Sequence, residues 1–552
     1  MFSDPVVGGD FFGRQEILDL LVKRANALKS GYRQNVALIG HQQLGKTSLL
    51  RHFLHTYRDS QILAIYVEIK LQALDTFVEQ FIRSLLYQFL VQQGAVDPAE
   101  SLSRLKAKAE PFVPKTVARI GDITNLIKQR HPEEAYSRLF ELTSVIRQET
   151  GKHCIVVLDE FHRLGELGIK NAFSNFGKRI MVQKDTMYLV SSSSFSASKK
   201  ILVEKLALLF GNFERIYLEP FDFETSFDFL EKKLSPVRLS EDMKYFLVAF
   251  TDGYPFFLET IASRVLELSS AKGEGEVSRP TVATVLLRLL YESQGIFHQF
   301  FLKWISPWSR PKARGRHLLV LAAIARGANR LKDIAAAAGL GQREASAQIQ
   351  ELIEHELILK TGVFYRFHNK IFKFWLREVF EKKELSLLGM AAGAQSFLDR
   401  IQALIEENEK LLRTDASDHV LKLFALFRND IVEFGEKRRK LPHFTEFIPI
   451  SEKAREGQGS SRGIIARGRG RCWVCKITEE KATEKEVLEL LEGSAGKANR
   501  AATPVLVALK GVEENAKLLA KDRRVLTLGL SRINMLMDIY GRSPIVRVHS
   551  RP

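Results

Sequence analysis

The apolar run Val36-Ala37-Leu38-Ile39 enters Gly40-His41-Gln42-Gln43-Leu44-Gly45-Lys46-Thr47, and Ser48-Leu49-Leu50-Arg51-His52-Phe53-Leu54 continues with helical spacing. Glycines at both ends let such a loop wrap a phosphate with backbone N–H groups, and the N-terminus of the following helix favours anionic charge. A lysine at the position of Lys46 reaches the β and γ phosphates, and a hydroxyl at that of Thr47 ligates Mg²⁺. Gly40 to Ser48 are therefore read as a phosphate cradle. The strand before it and the helix after it make a chance glycine-rich turn the poorer reading.

A second group fits the same chemistry. His153-Cys154-Ile155-Val156-Val157-Leu158 is a strand pattern that ends in Asp159-Glu160. This pair suits a carboxylate that organises Mg²⁺, Asp159, followed by one that polarises the attacking water, Glu160. An acidic strand end is common on any surface, but phosphoryl transfer needs these roles supplied together with the loop. Met187-Tyr188-Leu189-Val190-Ser191 then places Ser192, Ser193 and Ser194 at a strand end. Ser193 is kept as a candidate contact to the γ-phosphate or the water, although serine clusters ordinarily mark loops.

These residues need a scaffold that brings separate strand ends together. Apolar runs at 36–40, 62–69, 153–158, 187–190 and from Arg215 alternate with helical spacing, such as Leu74 to about Val91. That alternation predicts an α/β fold with a parallel sheet and ligands at the carboxyl ends of its strands.

The two motifs resemble those of the archaeal-type ATPases, in the STAND and AAA+ branch of P-loop NTPases, related to origin-recognition ATPases. The resemblance spans about residues 10 to 380. It extends to Phe12-Gly13-Arg14-Gln15-Glu16, similar to an opening segment near the adenine, and to Asp252-Gly253-Tyr254-Pro255, similar to a GxP element in a helical lid. By local chemistry alone the second is equally a helix-breaking turn. The resemblance implies ATP and Mg²⁺ as ligands, with Gly13, Arg14 and Pro255 beside the nucleotide. It also implies that Arg215 senses the γ-phosphate; as a residue at a strand start, Arg215 reads equally as a solvated charge.

The chain of 552 residues is long enough for several domains, and its 45% hydrophobic and 27% charged residues are those of packed globular proteins. A net charge of +17 points to a polyanionic partner or to plain solubility. Three cysteines form no disulfide framework, no run approaches the ~18 apolar residues of a membrane span, and the N-terminus lacks a leader pattern; a cytoplasmic location is expected.

Five segments are expected: 1–222, the P-loop ATPase core; 223–300, a helical lid with a flexible break at 271–280; 301–385, a winged helix; 386–440, a helical connector; and 441–552, a C-terminal α/β domain. The third starts with a basic stretch, Arg310, Lys312, Arg314 and Arg316, and its third helix mixes Gln342 and Arg343 with Glu344, Glu351 and Glu354. Those acids would repel phosphates. The last segment resembles a restriction-endonuclease-like domain whose active members carry Asp and then ExK. Here Val474-Cys475-Lys476 stands for ExK and the strand before has no Asp, so a non-catalytic domain is expected. Cys472 and Cys475, three apart on a strand, point to opposite faces and are read as structural. Residues 454–471, rich in Gly, Ser and Arg, read as a partly flexible basic arm carrying Arg455, Arg462, Arg467, Arg469 and Arg471.

The resulting expectation is an ATP-hydrolysing switch or motor that acts on nucleic acid, double-stranded DNA first, or with a protein partner, with no membrane contact and with nucleotide-dependent homo-oligomerisation open. The alternatives are a nucleotide-gated protein scaffold with slow turnover and, less favoured, an active Mg²⁺-dependent nuclease.

Overall fold

A computed structural model describes residues 5–94, 100–205, 213–308, 315–384, 390–434, 437–450, 461–497 and 502–545. Arg310, Lys312, Arg314 and Arg455 lie outside them, as does the side chain of Arg462. The chain divides into two units, Met1–Phe221 with Tyr254–Phe256, and Asp222–Gly253 with Phe257–Pro552.

In the first unit α1 (Gln15–Lys29) precedes β1 (Asn35–Ile39), β2 (Ile62–Glu68), β3 (His153–Asp159), β4 (Thr186–Ser192) and β5 (Phe213–Tyr217). They form one parallel sheet in the order β2-β3-β4-β1-β5. The three inner strands are buried at every residue, as near-continuous aliphatic runs covered on both faces must be. Between β1 and β2 runs α2 (Lys46–Thr56). Between β2 and β3 run α3 (Leu74–Gln92), α4 (Leu102–Ala109), α5 (Pro114–Lys128) and α6 (Pro132–Thr150). Only the first of these four was legible as a crossover. Next come α7 (Ala172–Val182), before β4, and α8 (Phe195–Lys200), before β5. Register aligns Ile39 with Ser192 and Leu158 with Val190, so the segments after β1, β3 and β4 leave the sheet at one level.

The second unit opens with α9 (Phe223–Lys233), α10 (Glu241–Thr251), α11 (Pro255–Lys272), α12 (Arg279–Leu286) and α13 (Ile296–Ile305). The expected flexible break at 271–280 is instead a hydrogen-bonded turn. Glu274 accepts from Thr281 Oγ1 at 2.9 Å, and Arg238 N donates to Gly275 O at 2.9 Å. Then come α14 (Arg316–Ala325), α15 (Leu331–Ala337), α16 (Gln342–Glu354) and an antiparallel hairpin of β6 (Ile358–Thr361) and β7 (Phe364–Phe367). The short α17 (Lys370–Trp375) packs Phe372 and Trp375 on Phe301 of α13.

The connector departs from expectation. Helix α18 (Met390–Leu412) and α19 (Ala416–Phe424) are followed not by more helix but by a hairpin, β8 (Ile431–Phe434) with β9 (Lys437–Lys440). Asn429, at φ +62°, breaks the helical path, and Val432 and Phe434 alternate into the apolar core below.

The C-terminal sheet runs β10 (Glu446–Ile450), β11 (Ser461–Gly468), β12 (Arg471–Thr478), β13 (Ala502–Ala508) and β14 (Leu526–Gly529), antiparallel across the first three and parallel thereafter. Its helices are α20 (Glu484–Lys497), α21 (Glu514–Asp522) and α22 (Leu530–Ile539). Arg467 and Arg471 therefore belong to strands of a tight hairpin and Arg469 to its turn, where a partly flexible arm was expected. Trp473, Cys475 and Ile477 join one apolar cluster and Val474 another, with Cys472 against the second. The two cysteines thus sit on opposite faces, and burial pushes the Cys475 thiol up.

Candidate active site

The loop from Gly40 to Gly45 joins the buried end of β1 to the first turn of α2. Gly40 N donates to Ser192 O at 3.2 Å. A Cβ added at Gly40 would sit 2.8 Å from Leu218 O and 2.9 Å from Leu218 Cβ, so only glycine lets the loop lie against that backbone. Gly45 caps α2 at φ +83°, and Gln43 adopts φ +64°. These left-handed residues let the loop turn tightly back on itself. Lys46, buried, donates from Nζ to Gly40 O and His41 O, each at 2.7 Å. Leu44 is buried; His41 stacks on Phe195 with ring centroids 6.3 Å apart. Gly40→Ala is expected to lower stability by ~1–3 kcal/mol through this overpacking and to weaken nucleotide binding with it. Thermal melting and a nucleotide titration check it, and an unchanged variant contradicts the role given to Leu218.

Register brings Asp159 to this loop. The fully buried carboxylate accepts from Thr47 Oγ1 at 2.7 Å and Tyr66 Oη at 2.8 Å, both on Oδ2, and from Ser191 Oγ on Oδ1. Burial, and the negative charge of Asp159, push the Tyr66 hydroxyl up, which keeps it a neutral donor. Glu160 turns away at φ +58°. Its Oε2 accepts from Ser193 N at 3.0 Å and Ser193 Oγ at 2.7 Å, and lies 3.3 Å from His162 Nδ1. Ser192 Oγ meets the same His162 nitrogen at 2.9 Å, while Ser194 caps α8.

The two carboxylates are thereby held apart in orientation and environment. Asp159 is locked beside a hydroxyl that could share a hard cation with it, and Glu160 is half-buried on a serine tether. A Mg²⁺ ion ordinarily takes one or two protein oxygens and completes its shell with phosphate and water. The Thr47–Asp159 oxygen pair fits that habit, and among the described residues there is no group of three or more His, Cys, Asp or Glu of the kind an all-protein metal cage needs.

The remaining candidates are placed less centrally. Val6 N donates to Ser48 Oγ at 3.1 Å, and Phe11 stacks on His52 at 4.2 Å, so the N-terminal segment lies on α2. Gly13 and Arg14 both have positive φ; the Arg14 guanidinium bonds Glu219 O and lies 4.8 Å over the Phe221 ring. Pro255 is half-buried at the start of α11 and clusters with the first unit. Arg215 is exposed on the edge strand β5, in register with Ala37. Sequence reasoning missed Tyr66, Ser191 and His162. Ser191 carried a signal, as the residue one step before the serines already singled out, but Tyr66 carried none until β2 was known to lie beside β3.

A five-stranded parallel sheet with strand order β2-β3-β4-β1-β5, a phosphate loop after β1 and an acidic pair after β3 defines a P-loop NTPase. Residues 10–175 match the family model described as AAA ATPase domain. The chain is an ATPase on these grounds. No curated protein matches it. Among solved structures it is similar to a Walker-type ATPase of Pyrococcus abyssi, at 18% identity over 68% of this chain and 99% of that one with a TM-score of 0.47. It is also similar to the Aeropyrum pernix ORC2 protein, at 13% over 73% and 97% with a TM-score of 0.43. A third is the Thermotoga maritima RuvB Holliday junction branch migration motor, at 15% over 69% and 100% with a TM-score of 0.33.

Proposed function

We propose that the chain is an ATP-driven switch or motor that acts on double-stranded nucleic acid. Lys46 and the loop amides take the β and γ phosphates, Thr47 and Asp159 take Mg²⁺, and Glu160, released from Ser193, orients and polarises the attacking water. Bound Mg²⁺ supplies charge neutralisation across the phosphates. Gly13, Arg14 and Pro255 border the base, and Arg215 reports on the γ-phosphate. We assign residues 223–300 to a lid, 301–385 to a winged helix, and 441–552 to a restriction-endonuclease-like domain without nuclease chemistry. In that domain Val474 lies in an apolar core and Lys476 is engaged by Glu489.

The nucleic-acid part of this reading is carried by one observation. Strand β9 presents Lys437, Arg438, Arg439 and Lys440, all exposed, and among the described residues only Arg438 has an ion pair, with Glu433 at 2.9 Å. Four adjacent cations on a paired strand match a phosphate backbone better than a disordered run would. Two of the acids that seemed to bar α16 from DNA are also satisfied internally, Glu344 by Arg316 and Glu351 by His317 at 2.8 Å and Trp308 at 3.1 Å. The double variant Lys437→Glu/Arg439→Glu should weaken binding of a 30-base-pair duplex at least about tenfold and flatten the slope of log K against log salt by ~2, leaving basal ATP hydrolysis intact. Equal affinity in both proteins would remove the hairpin from the interface.

One observation favours a nucleotide-gated protein scaffold instead. The exposed residues of α16 include Gln342, Arg343, Gln350, Glu351 and Glu354, one base against two acids, a surface better suited to protein than to phosphates. A slow hydrolysis rate indifferent to DNA, with nucleotide-dependent assembly, would select that reading.

A further inference from the structure

Strand β2 is an edge of the parallel sheet, and a cavity of about 460 Å³ opens beside it, against α2 and α3. Its walls include Arg51, Lys70 and Arg83, one carboxylate, Glu68, and the rings of Tyr66 and Tyr87. Glu68 lies 3.4 Å from Lys70 Nζ and 4.0 Å from Arg51 Nη2, so this one carboxylate is shared by two cations of the wall. The volume falls in the ~300–1,000 Å³ range usual for small-ligand sites. Guanidinium groups favour phosphate, and a half-buried tyrosine ring can take a base on its open side.

This cavity adjoins the hydrolytic site through one residue. The Arg51 guanidinium lies 5.1 Å over the Tyr66 ring, and the Tyr66 hydroxyl donates to Asp159 Oδ2, the oxygen that also accepts from Thr47. An anion that drew Arg51 off the ring would loosen Tyr66 and free the Oδ2 lone pair that its hydroxyl occupies.

We propose that this cavity binds a phosphate ligand of about one nucleotide unit, either a free mononucleotide or one residue of a single strand, and that its occupancy accelerates ATP hydrolysis through Tyr66. The rate effect rests on the assignment of Asp159 to the hydrolytic site; the binding does not.

The test uses the full chain at saturating ATP, with dTMP and a ten-residue oligothymidylate as separate probes. In a parallel arm, an oligothymidylate carrying 5-iodouracil is photo-cross-linked and the modified peptides are mapped. The wild type should be stimulated at least threefold and cross-linked at Tyr66 or Tyr87. Arg83→Glu and Lys70→Glu should each keep the basal rate within twofold and lose the stimulation. Tyr66→Phe should raise the basal rate and respond no further, while an unchanged cross-link at Tyr87 shows that it still binds. Stimulation by dTMP alone identifies a free nucleotide as the source, and stimulation only by the oligomer identifies a strand. Cross-links confined to other regions, or a response surviving both charge reversals, would overturn the site. A cross-link at Tyr87 with no ATP hydrolysis in any variant would sustain the binding site and sink the ATPase assignment instead.

Discussion

Lys46→Ala is expected to weaken ATP binding at least about 100-fold. The ammonium sits buried between the carbonyls of Gly40 and His41, within the loop proposed to take the phosphates. A charge-assisted hydrogen bond contributes ~1.5–3 kcal/mol, and each 1.4 kcal/mol is tenfold in affinity. Loss of two such contacts to β and γ oxygens therefore costs about two orders of magnitude. The change also removes a charge that folding must desolvate, so the folded chain should be no less stable without it. Titration with a fluorescent ATP analogue and a thermal melt check both halves. Binding within a few-fold of wild type would remove Lys46 from the phosphate site.

Glu160→Gln should separate binding from turnover. The amide keeps the size of the carboxylate and can still accept from Ser193 N, so the strand end should hold its shape. It cannot take or attract a proton from water. General-base removal ordinarily costs ~10²–10⁴ in rate, and kcat should fall by at least about 100-fold while the ATP dissociation constant stays within about threefold. Ser193→Ala, which frees Oε2 of one tether, should alter the rate far less. A drop in affinity equal to the drop in kcat would mark Glu160 as structural.

Much of this site was legible because its parts are local. A glycine-bounded loop between strand and helix, and a carboxylate pair closing an aliphatic strand, each declare their chemistry within eight residues. Tyr66 was not legible, because its contact with Asp159 spans 93 positions and depends on which strand β3 chooses as neighbour. The crossover from β2 to β3 shows the same limit. Its first helix, α3, has strong apolar periodicity, whereas α4 to α6 pack on it through contacts that no single segment reveals. In the second unit, the alternation of Val432 and Phe434 is only four residues long and follows a helix, so helical momentum hid a hairpin. The exposed Lys437 to Lys440 run then reads as a helix face until its strand pairing is known. The strand that carries Cys472 and Cys475, by contrast, was legible. There the two-residue period of Trp473, Cys475 and Ile477 against Cys472 and Val474 carries the burial pattern directly.

The most direct measurement is steady-state ATP hydrolysis by the full chain, with and without double-stranded DNA, at two salt concentrations and beside Glu160→Gln. The expected result is hydrolysis that DNA stimulates, stimulation that fades as salt rises, and loss of both in the variant. Hydrolysis that persists in Glu160→Gln, or a wild-type rate that DNA does not change at either salt, would contradict a DNA-coupled ATPase built on this site.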